Sequence, residues 1–320
     1  MLLFLARLVA TLIHIALVFA LAPLLMGIVT KFRAVLLGRR GPPFLNPYRI
    51  LTRLLQKTTL VPDTATELYQ IWPFVCVAAL AAAAALVPSF CTGLLTSSAS
   101  DFVTLIGLLA LSRGAIVFAG LESGFAFGGA AAAREILFSV FAEAALLVVL
   151  LSFVLIANSA TVDGIATALR DDHIGISVSL GFALAAMLAV ALTETGRIPT
   201  DNPSGHLELA MVHEAMLLEY SGRFLLLFEY AGMLRLMVWM CLIGTIFLPF
   251  GMASADHLLS WPGGLLLWVL KLGLMSAALA LFEISTAKMR VFRIPEFLGV
   301  AMLLGILSGI FLFVAARIGG

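Results

Sequence analysis

The sequence is poor in charged residues, which make up only 12% of its 320 positions, whereas 62% are apolar. A mean hydropathy of +1.13 excludes an ordinary soluble domain, and the net charge of +1 gives no reason to expect a nucleic-acid partner. Several apolar runs reach the roughly 20 residues that a helix needs to cross the bilayer. Such runs are too long for barrel strands, so we predict an all-α, polytopic membrane protein.

Cysteine is also scarce, and Cys76, Cys91 and Cys241 lie far apart in the sequence. There is no CxxC pair and no cysteine–histidine ligand spacing, so the pattern indicates neither a disulfide nor an iron–sulfur or zinc site. We therefore expect no metal and no cofactor in this chain, and a redox metal would have to be bound by a partner chain. No strand pattern, nucleotide-binding glycine motif or internal repeat is visible.

Eight membrane-spanning helices are predicted within a single domain, residues 1–320. The first span is too long for a signal peptide and ends in cations rather than in a small-residue cleavage site. The loops after spans 1, 3, 5 and 7 carry most of the cations, which makes these loops cytoplasmic and leaves both termini outside. The spans cover about 5–30, 68–90, 102–121, 135–158, 175–193, 224–250, 264–285 and 296–316.

The first cytoplasmic loop, residues 31–66, is predicted to contain an amphipathic helix. Asn46 and Pro47 have the pattern of an N-cap followed by proline at the first helical position, and Pro62 is expected to end the helix. A merely solvated loop is the alternative. The pattern favours a helix lying in the membrane interface, with an apolar stripe of Ile50, Leu51, Leu54 and Leu55.

A second cytoplasmic loop, residues 194–223, is the most highly charged stretch of the chain. Asn202-Pro203 resembles another N-cap and Gly222 a C-terminal stop, so we predict a helix over about 203–221. Arg197 and Asp201 could pair locally. The ionisable residues of the loop are Glu194, Arg197, Asp201, His206, Glu208, His213, Glu214, Glu219 and Arg223.

His206 and His213 would share one face of that helix. Their seven-residue spacing is not the i, i+4 pairing of a helical zinc site, so we expect hydrogen bonds to loop or partner groups instead. The carboxylates of the loop could do no more than solubilise it. Clustered carboxylates near a membrane can also share protons, and so dense a cluster favours that role.

A few ionisable residues lie inside the predicted spans. Glu143 is expected about eight residues inside span 4, roughly 12 Å from its cytoplasmic end, where a carboxylate usually faces a polar path or a partner. Glu229 and Arg235 are about 120° apart on span 6 and should not pair. Lys271 could anchor the outer interface or carry protons, and Glu283 could be solvated or take part in coupling.

In three groups of residues the chain resembles one known family, the membrane anchor subunits of group 4 NiFe hydrogenases. Within that family it most resembles the hydrogenase-4 and formate hydrogenlyase membrane subunits. The family is homologous to the quinone-chamber subunit of respiratory complex I. The matching segments are ETGRIPTDNP at 194–203, HLEL at 206–209 and VHEAMLLEYSG at 212–222, then GRRGP at 38–42 with PYR at 47–49, and Arg134, Glu135 and Glu143.

The resemblance implies a subunit without its own cofactor. Large and small hydrogenase subunits, iron–sulfur subunits and antiporter-like membrane subunits would surround it, in a bacterial or archaeal inner membrane. The NiFe centre and the iron–sulfur clusters would lie in those partners. Loops 31–66 and 194–223 would dock them, through Arg39, Arg40, Arg49, Arg134, Arg197, His206, His213 and Arg223. The residues expected to couple proton movement are Glu143, Glu194, Asp201, Glu208, Glu214, Glu219, Glu229, Lys271 and Glu283.

Two other functions remain as alternatives. A quinone-binding subunit of a complex I-type NADH dehydrogenase would share the fold, but that branch usually has Asn in place of Gly196 and an acidic run in place of residues 200–206. The two histidines also belong to the hydrogenase pattern. A stand-alone secondary transporter would favour inverted repeats and broken helices at the midplane, which the sequence does not show.

Overall fold

The computed structural model describes residues 2–63, 65–171, 178–197, 212–286 and 293–318. Over these ranges the chain is almost entirely helical, which confirms the predicted all-α class. Seven helices are long and apolar enough to cross a membrane, and a shorter apolar helix covers Val178–Glu194. That shorter helix corresponds to the predicted fifth span, and the residues that precede it, 172–177, lie outside the described part of the chain.

In the described ranges the seven long helices, the shorter apolar helix and three further short helices follow one another with few irregular segments. The helices are α1 Leu2–Leu36, α2 Asn46–Gln56, α3 Trp72–Leu86, α4 Phe102–Glu122, α5 Ala126–Ala157, α6 Val162–Asp171, α7 Val178–Glu194, α8 His213–Met216, α9 Gly222–Phe247, α10 Trp261–Ser285 and α11 Ile294–Ile318. Single 3-10 turns cover Glu67–Gln70, Leu95–Ala99 and Leu258–Ser260.

Helix α9 forms the centre of the bundle. It packs against α3, α1 and α2, and most of its side chains are buried, as expected for a helix that is apolar on all sides. Helix α11 packs on α5 and α7, whereas α10 packs mainly on α1. We call the face at the C-terminal ends of α1, α4, α7 and α10 the basic face, and the opposite face, which carries the N-terminus, the terminal face.

Helix α5 begins at Ala126, nine residues earlier than the predicted start of span 4. The glycines at 128 and 129 suggest a loop, but the alanine run that follows them favours helix strongly enough to continue it. Glu143 therefore lies 17 residues after the first residue of α5, and the predicted depth of eight residues is wrong.

Helix α2 confirms the amphipathic helix in the first loop, but its predicted ends are wrong. It starts at Asn46 without a side-chain cap and ends at Gln56, well before Pro62. Leu54 is buried against the bundle, whereas Leu55 is exposed. At 11 residues, or about 16 Å, the helix is too short to cross a bilayer.

The predicted helix over 203–221 is wrong where the structure describes it. After one turn, His213–Met216, the chain leaves the helix, and Gly222 begins α9 instead of ending the previous helix. Tertiary contacts override the helical pattern here. The rings of Tyr69 and Tyr220 stack with their centroids 4.0 Å apart. The Tyr69 hydroxyl donates to the backbone carbonyl of Glu219, and the Tyr220 hydroxyl donates to the backbone carbonyl of Tyr69.

Two short strands, β1 Cys91–Thr92 and β2 Ala253–Ser254, pair in parallel on the terminal face. At two residues each they are too short to produce an alternating pattern, which is why no strand was predicted. Arg7 at the start of α1 forms an ion pair of 2.9 Å with Asp256, just beyond β2. These contacts join the first span to the segment between α9 and α10.

Candidate functional site

A buried group of charges lies where α4, α5 and α7 meet. At its centre is Arg113, in the middle of α4 and only 4% exposed. Its Nε lies 3.6 Å from an oxygen of Glu135 and its Nη1 lies 3.9 Å from an oxygen of Glu143, while Nη2 pairs with the carboxylate of Glu194. We call Arg113, Glu135, Glu143 and Glu194 the charge cluster.

Local packing brings these residues together from three helices. Helices α4 and α5 form an antiparallel hairpin joined by three residues, and they approach so closely that a Cβ at Gly128 would lie 2.7 Å from the carbonyl oxygen of Gly120. Glu194 is the last residue of α7. Its backbone carbonyl accepts a hydrogen bond of 3.5 Å from the buried Arg235 on α9, and a cation is favourable at this helix end.

The charges of this group do not balance when all are ionised. With all four side chains ionised the charge cluster carries a net charge of −2, and Arg235, which donates to the backbone carbonyl of Glu194, reduces the local excess to −1. Glu135 and Glu194 are almost fully buried, at 3% and 5% exposure, where an uncompensated charge is costly. The cluster therefore concentrates excess negative charge among the membrane helices.

His213 lies at the edge of the charge cluster. Its Nε2 is 3.6 Å from an oxygen of Glu135, and about a third of its side chain is exposed. The ring packs next to Gly196, where an added Cβ would lie 3.8 Å from Nδ1. The sequence predicted a role for His213 in loop structure or docking, and the geometry connects it to a buried carboxylate as well.

A second ion-pair group lies at the basic-face end of α10. Arg197 donates to Glu283 at 2.7 Å, and Arg33 reaches the other oxygen of Glu283 at 3.5 Å. The side chain of Glu283 is only 7% exposed, so the possibility that it is simply solvated is wrong. Arg197 thus pairs with Glu283, whereas its predicted partner Asp201 lies outside the described residues.

The other predicted coupling residues that the structure describes differ from the charge cluster in exposure and partners. Glu214 and Glu229 are exposed, and Glu219 is half-buried. Lys271 donates to the carbonyls of Leu248 and Phe250 at the terminal-face end of α9, as an anchoring lysine would. The predicted residues Asp201, His206 and Glu208 lie outside the described residues.

The predicted docking residues are mostly at the surface. Arg134 is half-buried near the start of α5, and Arg197 is largely buried beside Glu283. The other arginines of the set are exposed, namely Arg39, Arg40, Arg49 and Arg223.

Sequence reasoning did not identify Arg113 or Arg235 as members of the site. Arg113 lies well inside its span, because nine residues of α4 follow it. The signal that could have found it is its position in an apolar run, because an intramembrane arginine needs an acidic partner on a neighbouring helix. Glu135 and Glu143 on the next span offer such partners.

Long apolar helices joined by buried ion pairs define the chain as a multi-pass membrane protein. Its sequence also matches a known family. The sequence profile of the family described as NADH dehydrogenase matches residues 8–315. The chain therefore belongs to this family of multi-pass membrane proteins.

Within the family, the chain is similar to two proteins of Escherichia coli (strain K12). It is 30% identical to formate hydrogenlyase subunit 4 over 289 residues, which cover 89% of this chain and 92% of that protein. It is also 30% identical to hydrogenase-4 component C over 293 residues, or 91% of each chain. These relatives confirm the resemblance drawn from the loop motifs.

A solved structure shares the fold. A chain in the membrane-bound sulfane sulfur reductase, an archaeal respiratory membrane complex, superposes with a TM-score of 0.79, covering 98% of this chain and 100% of that one. The sequence identity is 17%, so this similarity shows the architecture and not the reaction.

Proposed function

We propose that this chain is the integral membrane subunit of a group 4 NiFe hydrogenase complex. It anchors the hydrophilic hydrogenase module and couples the redox reaction there to translocation of protons or another cation. The two E. coli relatives, whose names place them in hydrogenase and formate hydrogenlyase complexes, support this assignment. The observation that carries it is the charge cluster, because buried, mutually close carboxylates within membrane helices are costly to keep without a use.

The cluster extends inward from the basic face. Glu194 lies at the end of α7 on that face, and Glu143 lies eight residues beyond Glu135 on α5, or about 12 Å deeper. Protons would enter from the basic face, through His213 or the surrounding loop, and pass from the buried carboxylates to Glu143.

Glu143 faces outward at the inner end of this path. Its side chain is 37% exposed, and its neighbours on the same face of α5, Val140 and Leu147, are 61% and 51% exposed. A carboxylate facing lipid at this depth is unfavourable, so we infer that an antiporter-like membrane subunit covers this face and receives the proton.

The redox chemistry belongs to partner subunits in this proposal. The three cysteines are buried and dispersed, which does not suit a cluster-binding subunit, so the NiFe centre and iron–sulfur clusters would be held by the hydrophilic large, small and iron–sulfur subunits. The exposed Arg39 and Arg40 precede α2 on the basic face and are suited to dock them. We place this face in the cytoplasm and the complex in an inner membrane.

Glutamine substitutions in the charge cluster test the coupling function, because they keep the side-chain shape and remove the titrating group. Glu135→Gln, Glu143→Gln and Glu194→Gln should each assemble, and dye-linked hydrogenase activity of the soluble module should survive. Proton movement linked to hydrogen turnover in membrane vesicles should be lost. Normal coupling in all three variants would contradict the proposed path.

Two further variants complete the test. Glu296→Gln alters an exposed carboxylate at the start of α11, away from the cluster, and should leave coupling unchanged. Charge reversal of Arg39 and Arg40 together should release hydrogenase activity from the membrane fraction. Arg197 is a poor choice for this purpose, since its reversal would also break the buried pair with Glu283.

A further inference from the structure

An apolar groove opens between α7 and α10, with α9 as its floor. Leu188, Leu192 and Thr195 line one wall and Met275, Leu279 and Phe282 line the other. The walls diverge because α7 packs on α5 and α11 while α10 packs on α1. Leu188, Ala278 and Phe282 are exposed at the rim, so the groove opens sideways, towards the surface that a bilayer would cover.

The size of the groove is compatible with a hydrocarbon chain. Each lining stretch, such as Leu188 to Thr195, covers eight residues, or seven steps along the helix, so the groove is about 10 Å long. Its volume is about 290 Å³, which is enough for a segment of one acyl chain.

The chemistry of the lining agrees with a hydrocarbon chain. The groove presents almost no polar surface, and the one hydroxyl among its residues, that of Thr195, already donates to the carbonyl of Ala191 at 2.7 Å. A polar ring or headgroup would therefore meet little polar surface inside. An acyl chain loses no hydrogen bonds when it enters the groove, because it moves from one apolar environment to another. It also gains close packing against the lining side chains.

The end of the groove at the basic face carries excess positive charge. Thr195 is two residues from Arg197, and Phe282 precedes Glu283, so the ion pair of Arg197 with Glu283 joins the two walls there. Arg33 shares the same carboxylate, so among the described residues of this ion-pair group one positive charge is in excess. More than half of the Arg33 side chain is exposed at 54%, so it can meet a phosphate at headgroup level.

We propose that this groove is a binding site for one acyl chain of an anionic phospholipid, whose phosphate pairs with Arg33. The bound chain fills the gap between α7 and α10 and packs against α9. This proposal concerns lipid binding alone, so it stands or falls independently of the proposed coupling function.

Photo-cross-linking in the intact membrane complex tests the site. The purified complex is reconstituted in phosphatidylcholine vesicles that contain a small fraction of phosphatidylglycerol with a diazirine in the acyl chain, and labelled peptides are mapped by mass spectrometry. Labels should concentrate on residues 188–195 and 275–282. A matched diazirine phosphatidylcholine should label them about fivefold less, the factor expected from one excess positive charge near an anionic headgroup.

Matched variants separate the groove from the general lipid surface. Ala278→Phe fills the groove and should remove most of this labelling, whereas Ala185→Phe, at an exposed alanine of α7 outside the groove, should not. Arg33→Gln should abolish the preference for phosphatidylglycerol, and Arg53→Gln on α2 should keep it. Equal labelling of the outer side of α10, around Leu270 and Leu274, would mean bulk lipid only and would overturn the proposal. Absence of label from the groove would mean that a partner subunit or a quinone tail occupies the groove. That result would also overturn the proposal.

Discussion

At the residue scale, Gly222 is a position where a single methyl group should be damaging. Its φ is +54°, and an added Cβ would lie 2.8 Å from the carbonyl oxygen of Thr58 and 2.9 Å from that of Lys57. Both the left-handed backbone and the close approach of the first loop require glycine. This contact holds α2 and the start of α9 together, so its loss affects the whole basic face.

We expect Gly222→Ala to destabilise the subunit by about 2 kcal/mol or more, because strain and steric overlap add. Gly232→Ala is the matched control, since nothing lies within 4 Å of a Cβ there, and alanine in a helix interior is favourable by about 1 kcal/mol. The melting temperature of the detergent-solubilised complex measures the effect of each substitution. Equal melting temperatures would show that the loop simply moves away.

Arg113 should be the most sensitive charged residue in the chain. Arg113→Met removes the guanidinium and leaves Glu135 and Glu194 buried without it, a change that costs about 3–5 kcal/mol when one partner of a buried pair is lost. We expect little assembled subunit in membranes. Arg53→Met, at an exposed position of α2, should cost less than about 0.5 kcal/mol.

A double variant separates electrostatics from packing at this position. Adding Glu194→Gln to Arg113→Met removes one unpaired charge and should recover part of the lost assembly, which a double-mutant cycle quantifies. If the single Arg113→Met variant assembles as well as Arg53→Met, the ion pairs do not support the fold.

The sequence identified part of the charge cluster and missed its centre. Glu143 and Glu194 were recognised because an intramembrane or membrane-adjacent carboxylate is conspicuous by itself. The pairing of Arg113 with three carboxylates depends on which sides of α4, α5 and α7 face each other. That arrangement is set by helix packing over long sequence separations, and the pattern along any one helix does not contain it.

At the scale of elements, helix α6 on the terminal face contains a pH-sensitive contact. The carboxylate of Asp163 accepts hydrogen bonds of 3.1 and 3.3 Å from the backbone N–H of Gly93, beside β1. Burial raises the pKa of Asp163 above its ordinary value of 3.8, although the bond from Gly93 acts in the opposite direction. Folding therefore favours the protonated form of this group.

The stability contributed by Asp163 is present below about pH 4 and is lost as the pH rises through its raised pKa. Asp163→Asn keeps an oxygen to accept from Gly93 and carries no charge. We expect this variant to melt at a higher temperature than the parent at neutral pH, with a difference that shrinks on acidification towards about pH 4.

Asp256 is the control, because its pKa shifts in the opposite direction to that of Asp163. Its hydrogen bond from Arg7 lowers the pKa of Asp256, so its contribution is present at neutral pH and is lost as the pH falls through that lowered pKa. Asp256→Asn should therefore melt at or below the parent at neutral pH. The same direction of change in both variants would mean that the pH dependence arises elsewhere.

Most spans were predictable from apolar run length alone, and their ends were less so. The early start of α5 and the short helix α8 both depart from the prediction, for different reasons. In α5 the helix propensity of alanine outweighs two glycines. At residues 217–222 the contacts between Tyr69 and Tyr220 and the approach of Gly222 to the first loop decide the backbone, and these contacts join segments about 150 residues apart.

At the scale of the whole molecule, the orientation in the membrane follows from the charge of the loops. Cations concentrate on the basic face, so we expect that face inside and both termini outside. The chain is well suited to a cysteine-labelling test because Cys76, Cys91 and Cys241 are all buried. A cysteine placed at Arg53 should react with a membrane-impermeant maleimide only after permeabilisation, and one at Leu259 should react in intact cells. The reverse pattern would refute the orientation.

The two ion pairs that join distant parts of the chain also constrain its biosynthesis. Arg7 meets Asp256 and Arg33 meets Glu283, across 249 and 250 residues. At about 5–20 residues per second, the ribosome needs roughly 12–50 s to make that interval. During this time α1 is already in the bilayer but lacks α9 and α10, the helices that cover it. The first helix must therefore remain in the bilayer without these two partners until the second-last helix emerges.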